Sequence, residues 1–206
     1  MTKLDLKKSI AAYTAPRGSF GIVDVPPLQY LMVDGHGDPN TAEEYGDAVA
    51  AVFGVAYKLK FLSKGELDRD YVVMPLEGLW WSDDMATFTT ERDKSRWSWT
   101  MMSLVPDWLD GSHFERARGA AAAKGGSPAL DRLRLAELAE GRCVQTLHVG
   151  SYDDEAPVLA EMHERFIPGA GLRMRGRHHE IYLADPRRTA PEKLRTILRQ
   201  PVETTG

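Results

Sequence analysis

One pattern of elements occurs twice in this chain, and it limits the folds that the chain can adopt. In the first half, residues 28–33 form a short apolar run, which predicts a strand. A turn containing glycine follows at residues 35–39. Thr41 and Glu44 then make a capping box ahead of apolar residues at helical spacing, so a helix is predicted to about Leu62.

The second half repeats this order. Residues 143–149 predict a strand, Gly150 begins a turn, and Asp153 is placed to cap an amphipathic helix that ends at Pro168. A further strand is predicted at residues 179–184. The other predicted elements are strands at residues 71–74, 76–81 and 97–105, a hairpin loop or short irregular strands at 82–95, a helix at 107–124 capped by Asp107, and short helices at 130–138 and 192–199.

Strands that carry helices on one face predict an α+β fold, here a single domain of residues 1–206. Its halves are predicted at residues 26–106 and 141–202, with a helical insert at 107–140. Two such halves side by side would leave a groove at their junction, and grooves of this kind are common ligand sites.

A dense aromatic stretch lies in the first half and contains all five tryptophans. Alternation in residues 97–101 predicts a strand that places the indoles of Trp97 and Trp99 on one face. Such a face can form part of the core, or it can wall a pocket for a flat, apolar or cationic molecule. The aromatic residues of the stretch are Tyr71, Trp80, Trp81, Trp97, Trp99 and Trp108.

The composition excludes several classes of protein. A formal net charge of −4 argues against nucleic acid as the main partner, because phosphate binding depends on Lys and Arg. No apolar run approaches the roughly 20 residues that span a bilayer, and the first ten residues do not read as a signal peptide, so a cytoplasmic protein is expected. The single cysteine, Cys143, heads a predicted strand and is interpreted as a buried structural thiol.

Glu180 is the main candidate for chemistry. Alternation in its strand sends Ile181 and Leu183 one way, under the helices by our prediction, and sends Glu180 and Tyr182 to the opposite face. A poorly solvated carboxylate among aromatic rings suits a general acid or base, and it also suits a cationic ligand. A solvated strand carboxylate, or a partner of a nearby arginine, is the structural alternative.

Two further residues have both a functional and a structural interpretation. Glu77 lies at a bend beside two indoles, where it either faces the groove or hydrogen-bonds the backbone of a bulge. Tyr152 lies where a strand passes into a helix, and its ring either faces a ligand or packs over the helix start. No metal or cofactor is predicted, because His178 and His179 are adjacent on a strand and therefore point to opposite faces.

Several long segments of the sequence carry a family resemblance. They are PLEGLW at residues 75–80, CVQTLHVGSYDDE at 143–155, HHEIYLADPRR at 178–188 and PEKL at 191–194. Together they resemble the GyrI-like small-molecule-binding proteins over about residues 26–202, in particular the stand-alone subfamily that includes cyclopropanoid cyclopropyl hydrolases.

The resemblance implies two strand–helix–strand–strand (SHS2) modules that form a pseudo-twofold sheet with a shared ligand groove. It also implies a flat aromatic or cationic small-molecule ligand. In the hydrolase subfamily an aromatic cage and a glutamate open the activated cyclopropane of duocarmycin-type DNA-alkylating antibiotics. The glutamate corresponds to Glu180, and the best-matched cage residues are Tyr71, Trp80, Trp99 and Trp108. Met74 stands where relatives often have an aromatic residue.

These observations leave three hypotheses. The first is a hydrolase for detoxification or self-resistance, with Glu180 as general base and the Tyr71 hydroxyl as donor to the dienone oxygen. The second is a multidrug sink or sensor that binds without turnover, and the third is an inhibitor of another protein, as the family name suggests for DNA gyrase. The density of aromatic residues favours the two small-molecule hypotheses over the third. A monomer or weak homodimer without nucleic-acid or membrane partners is expected. Glu77, Tyr152 and Tyr182 complete the predicted ligand-binding set.

Overall fold

The computed structural model describes residues 2–82 and 93–206. The chain separates into two compact units, unit 1 from residues 1–9 and 28–138 and unit 2 from residues 10–27 and 139–206. The strands are β1 Gly21–Val25, β2 Leu28–His36, β3 Glu77–Trp81, β4 Ser98–Leu104, β5 Arg134–Leu138, β6 Gly141–Val149, β7 Leu172–Met174, β8 His178–Tyr182 and β9 Arg195–Thr204. The α-helices are α1 Leu6–Ser9, α2 Glu43–Glu66, α3 Gly111–Ala122, α4 Ala156–Ala160 and α5 Ile167–Gly169.

Unit 1 is built on an antiparallel sheet in the order β3-β4-β2-β5. In its register Trp99 lies opposite Gly35 on one side and opposite Trp80 on the other. Residues directly opposite each other in an antiparallel pair point to the same face. The indoles of Trp80 and Trp99 therefore share one face of this sheet.

Three of the strands predicted in unit 1 are confirmed, namely those at residues 28–33, 76–81 and 97–105. The strand predicted at 71–74 is wrong, since only Tyr71 pairs, in an isolated bridge with Leu4. A proline at position 75 has no N–H to continue a ladder, which is consistent with this break. Most of the loop predicted at 82–95 lies outside the described residues, and its end forms the 3-10 turn Lys94–Arg96.

Helix α2 is confirmed and runs about one turn further than predicted. The predicted cap is wrong, because the N-cap is Ala42 and no side chain caps the helix. The preceding turn is held instead by Asp38, whose carboxylate accepts the backbone N–H of Asn40. One side of the helix is buried, with Ala48, Val52 and Leu59 fully enclosed, and the helix packs on β2 and β4.

The insert contains the predicted helix and one element of the wrong type. Helix α3 is confirmed, but its N-cap is Asp110, which accepts the backbone N–H groups of Ser112 and His113, rather than Asp107. The helix predicted at 130–138 is wrong, because a 3-10 turn Pro128–Asp131 leads into β5, which pairs with β2. A short helix is marginal by itself, whereas pairing on β2 satisfies the same backbone groups.

The strands of unit 2 pair antiparallel in the order β1-β6-β9-β8, and β7 pairs with the end of β9. The strands predicted at 143–149 and 179–184 are confirmed. The C-terminal helix predicted at 192–199 is wrong, since β9 occupies most of it and lies between β6 and β8. Its residues are buried almost without alternation, and a short apolar run of this kind does not distinguish a buried strand from a helix. Strands β1 and β7 were not predicted.

The predicted helix of unit 2 is confirmed as a continuous helical segment over residues 156–169, in which the π-helix Glu161–Phe166 joins α4 to α5. Asp153 is not its cap, because the N-cap is Glu155 and no side chain caps it. Met162 and Ile167 of this segment pack in one core cluster with Val144 and Leu198. The face of the sheet that carries Val144 and Leu198 is therefore the helix-covered face.

A buried charged network occupies the other face of the unit 2 sheet. Arg199 is fully buried and donates to Glu140 Oε2 at 2.8 Å, to Gln145 Oε1 at 3.1 Å and to the main-chain oxygen of Ala12. Glu140 Oε1 lies 2.9 Å from His179 Nδ1. Burial opposes ionisation of Glu140, but the charges and hydrogen bonds of His179 and Arg199 outweigh it and lower the pKa to about 2. The network ties the segment before β1 to the sheet.

Helices and antiparallel strands combine in both units, so the predicted mixture of helix and sheet is confirmed. The SHS2 modules, the single-domain organisation and the ligand groove stay predictions. Among the residues that the structure describes, no helix has the length and apolar character needed to cross a bilayer.

Candidate functional site

Unit 1 contains a cluster of four aromatic rings on the helix side of its sheet. Tyr45 of α2 makes an edge contact with Trp99 at a centroid distance of 5.3 Å and stacks on Trp80 at 6.5 Å. Trp97 meets Trp80 edge-on at 5.7 Å. Trp99 has no exposed surface and Trp80 retains 6%. The structure therefore brings two of the predicted cage residues together, beside a tyrosine that was not predicted.

Trp99 lies across a glycine that has no room for a side chain. A Cβ added at Gly35 would lie 2.1 Å from Trp99 Cη2. The indole N–H donates to the main-chain oxygen of Gly37 at 3.2 Å. Both glycines of the turn predicted at 35–39 therefore position this ring.

The other two cage candidates form a separate pair. Tyr71 and Trp108 meet edge-on at 6.1 Å, and the guanidinium of Arg69 lies 5.1 Å from the Trp108 ring. Tyr71 is 2% exposed, and burial raises the pKa of its phenol above the usual range. The Trp108 indole N–H donates at 3.0 Å to Oγ of Ser63, which lies in the last turn of α2, whereas Tyr45 lies in the first. The pair and the four-ring cluster therefore lie at opposite ends of this helix.

Glu77 begins β3 and is fully buried. It is opposite Met102, and alternation along β3 places it on the face away from Trp80. Neither the functional nor the structural interpretation of Glu77 is tested by this position, so its role in ligand binding stays a prediction.

Glu180 lies on the helix-covered face of the unit 2 sheet, and the facing that we predicted is wrong. Glu180 is opposite Leu198, which belongs to the core cluster under the helical segment. The His178 ring on the same face meets the His163 ring of that segment edge-on at 5.7 Å. Ile181 shares the other face with the buried charged network. The alternation itself is as predicted, and only the choice of face is reversed.

The Glu180 carboxylate is held by one hydrogen bond from its own strand. Tyr182 donates its hydroxyl to Glu180 Oε2 at 2.7 Å, and His178 Nε2 lies 3.6 Å from Oε1. The carboxylate is 15% exposed. It is therefore a held and partly desolvated acceptor, which suits a base aimed at a small ligand or at water.

Tyr152 joins this group from the turn that precedes the helical segment. Its ring meets the Tyr182 ring edge-on at 5.6 Å. Tyr152 stays 39% exposed, and its partial burial, followed by the negative charges of Glu155, Glu180 and Asp185, raises the pKa of its phenol to about 12. Tyr152 and Tyr182, both predicted for ligand binding, thus lie beside Glu180.

A second carboxyl group, Glu155, was missed. It is 4% exposed, and its Oε1 has no hydrogen-bond partner among the described residues. Burial and the negative charge of Glu180 raise its pKa to about 9. The Thr196 hydroxyl opposes this shift, although it lies outside hydrogen-bonding geometry. We call Tyr152, Glu155, Glu180, Tyr182 and Thr196 the two-glutamate cluster.

The sequence contained one signal for Glu155, its place at the start of a helix where a side chain can turn back onto the sheet. His163 was also missed. Its Nε2 has no partner in the described part of the chain, and burial followed by the charge of His178 lowers its pKa to about 4. His163 is therefore neutral at physiological pH.

The structural interpretation of Cys143 is confirmed. Cys143 is fully buried, and burial raises the pKa of its thiol to about 12. His148 is 7% exposed and hydrogen-bonds the main-chain oxygen of Ser151 at 3.0 Å. Within residues 2–82 and 93–206, no three His, Cys, Asp or Glu side chains are grouped to hold a metal ion.

Known proteins resemble this chain over nearly its whole length. The model of the GyrI-like small molecule binding domain matches residues 19–203. An uncharacterized conserved protein from Listeria innocua is 41% identical with a TM-score of 0.87, and the match covers 98% of this chain and 100% of that one. A hydrolase from Listeria innocua is 40% identical with a TM-score of 0.83 and the same coverage.

More distant similarity concerns the fold alone. The C-terminal domain of EcmrR is 9% identical, with a TM-score of 0.55 over 91% of this chain and 98% of that one. No curated protein is significantly similar to the chain in sequence.

Proposed function

Because the chain belongs to the GyrI-like small-molecule-binding family, we propose that it hydrolyses the activated cyclopropane of duocarmycin-type DNA-alkylating compounds, as a cytoplasmic detoxification or self-resistance enzyme. The finer architecture that we propose with it is one SHS2 module in each unit. A hydrolase that is 40% identical over 98% of this chain supports the assignment to an enzyme.

One observation carries the proposal: Glu180 is partly exposed and accepts the Tyr182 hydroxyl at 2.7 Å, with the Tyr152 ring beside it. A carboxylate that is already oriented needs little reorganisation to take a proton from water. Two tyrosine rings next to it offer the stacking surface that a flat ligand requires.

The reaction needs only water as a co-reactant. In the substrate the three-membered ring is conjugated to a dienone, so it is electrophilic without a metal. Glu180 removes a proton from water as the oxygen bonds to the cyclopropyl carbon. The electron pair of the broken C–C bond passes to the dienone oxygen, which becomes a phenol after it takes up a proton. The net change is addition of one water.

The proposed roles of the unit 1 residues rest on the resemblance alone. Trp80, Trp99 and Trp108 are proposed as ligand-binding residues, with Glu77 as a further acidic group, although Trp108 lies at the other end of α2 from Trp80 and Trp99. Tyr71 is the proposed donor to the dienone oxygen, although its burial means that a side-chain movement must precede that contact. These roles stay predictions.

The test is incubation of the purified protein with a duocarmycin-type compound and detection of the hydrated product by mass spectrometry. We expect Glu180→Gln to lower the rate at least about 100-fold, because a general base contributes that much or more. Glu192→Gln is the matched control, since Glu192 is exposed in the 3-10 turn Pro191–Lys193 of the same unit. Equal rates in both variants and the unchanged protein would remove Glu180 from the mechanism.

Binding without turnover is the alternative function, and the description of the family as small-molecule-binding favours it. In that case the compound binds tightly by calorimetry and is recovered unchanged. Absence of both binding and product, for cyclopropanoids and for flat aromatic cations, would contradict both functions.

A further inference from the structure

The two glutamates of the two-glutamate cluster lie on the helix-covered side of the unit 2 sheet. Glu180 is on β8, and Glu155 begins the helical segment, whose preceding turn brings the Tyr152 ring to 5.6 Å from Tyr182. Glu155 is 4% exposed and the Glu180 side chain 15% exposed. Two ionised carboxylates close together in such a region repel each other strongly, so one of them keeps its proton.

The contacts decide which of the two keeps it. Glu180 Oε2 accepts the Tyr182 hydroxyl at 2.7 Å, whereas His178 Nε2, 3.6 Å from Oε1, makes no hydrogen bond with a described residue. Within the described ranges, the Oε1 atom of Glu155 accepts no hydrogen bond, although it is buried. The unsupported carboxyl group is the one that stays neutral.

We propose that Glu155 is a positioning residue that holds one proton beside Glu180, so that the site carries a single negative charge and Glu180 is its only base. The effect of Glu155 on catalysis rests on the proposed hydrolysis, whereas the protonation of Glu155 does not depend on it. The assignment is consistent with a Glu155 pKa of about 9.

Among the described residues, the charges that act on Glu155 are those of Glu180 and Asp153, and both raise its pKa, whereas only the Thr196 hydroxyl lowers it. Its own turn contributes Asp153 and Asp154, and His163, on the helical segment, has a pKa lowered to about 4. The titratable and polar groups that face the region from the strands are His148 on β6, His178, Glu180 and Tyr182 on β8, and Thr196 on β9.

Ionisation of Glu155 has a defined effect on the proposed reaction. The transition state builds negative charge on the dienone oxygen, and a second fixed negative charge nearby destabilises it. A destabilisation of about 1.4 kcal/mol corresponds to about a tenfold loss of rate. Activity is therefore expected to decline on the alkaline side as Glu155 loses its proton.

The direct test needs no substrate. Protein labelled with ¹³C at the glutamate carboxyl carbons is titrated by NMR, and the Glu155 signal is identified by its loss in Glu155→Gln. We expect a midpoint near 9 in the unchanged protein. In Glu180→Gln the midpoint falls by about one pH unit, because the neighbouring negative charge is gone. Glu192→Gln leaves it unchanged.

A midpoint in the ordinary carboxyl range of about 4 to 5, or one that does not move in Glu180→Gln, would overturn the proposal.

The kinetic arm compares hydration rates at pH 8 and pH 10. We expect about a fivefold fall in the unchanged protein, because a group with a midpoint near 9 is about 10% ionised at pH 8 and about 90% ionised at pH 10. In Glu155→Gln, whose amide cannot ionise, we expect a ratio within about twofold of one. If the unchanged protein shows no turnover, the proposed hydrolysis is wrong, and the titration still tests whether Glu155 holds a proton. If turnover occurs and the alkaline decline persists in Glu155→Gln, the proposal fails while hydrolysis stands.

Discussion

Tyr182 donates its hydroxyl to the carboxylate of Glu180 at 2.7 Å from two positions further along the same strand. Residues two positions apart on a strand point to the same face, so this contact needs no other element to form. It is the most local feature of the candidate site and the easiest to remove without disturbing the core.

The first prediction concerns this hydrogen bond. Tyr182→Phe removes the hydroxyl and keeps the ring, so we expect hydration of the cyclopropanoid to slow by about 10- to 100-fold, because a hydrogen bond to a charged group contributes about 1.5–3 kcal/mol. Tyr57→Phe, at an exposed position of α2, is the control. A rate in Tyr182→Phe equal to that of the control would show that orientation of Glu180 does not limit the reaction.

The second prediction concerns the contact between Gly35 and Trp99. Gly35→Ala places a Cβ 2.1 Å from Trp99 Cη2, so we expect the free energy of unfolding to fall by about 1–3 kcal/mol or more, because the buried ring has no space to shift. Gly54→Ala is the control, and we expect it to raise the free energy of unfolding rather than lower it. Gly54 lies inside α2, and a Cβ added there would have no atom within 4 Å, so alanine stabilises the helix by about 1 kcal/mol. Urea unfolding measures both, and equal stability of the two variants would contradict the tight fit.

The third prediction is a loss of stability in acid that depends on Glu140. The folded pKa of about 2 lies below the reference value of 4.5, so this stabilisation is complete above the reference value and is lost as the pH falls through the folded value. The shift corresponds to about 3 kcal/mol. Glu140→Gln is destabilised near neutral pH by about 3–5 kcal/mol, since it leaves Arg199 buried without a counter-charge.

We therefore expect the difference in unfolding free energy between the unchanged protein and Glu140→Gln to shrink between about pH 4.5 and pH 2. Glu203→Gln is the control, because Glu203 pairs with Arg173 on an exposed surface. A difference that stays constant over this range would mean that Glu140 does not hold its charge through the network.

The fourth prediction concerns the thiol of Cys143. A fully buried thiol with a pKa raised to about 12 is almost entirely protonated at pH 8. We expect its reaction with a thiol reagent to be at least about 100-fold slower in the folded protein than in urea, because the thiolate is the reactive form. Rapid labelling of the folded protein would contradict the buried position.

Long periodic segments were predictable because their signals are local. Helix α2 shows apolar residues at helical spacing over several turns, and β4 and β6 alternate or run apolar between turn residues. The resemblance of the motifs identified the family, and the match over residues 19–203 confirms it. Alternation also placed Glu180 and Tyr182 on one face correctly, since that follows from the strand alone.

The capping residues were predicted less well, because several polar residues compete at each helix start. Asp107 and Asp110 are both suitable caps, and only the position at which the chain enters α3 selects Asp110. Residues 130–138 and 192–199 were predicted as helices and are partly strands, since their partners β2, β6 and β8 lie far away in the sequence.

The residue sequence therefore specified the family, the periodic elements and the shared face of Glu180 and Tyr182, all of which depend on neighbours within a few positions. The tertiary structure alone selected the helix-covered face for Glu180, buried Glu155 at the start of the helical segment that covers this face and separated the Tyr71 and Trp108 pair from the four-ring cluster. Those outcomes depend on which surfaces are buried against each other, and burial is a property of contacts between distant segments that no local pattern encodes.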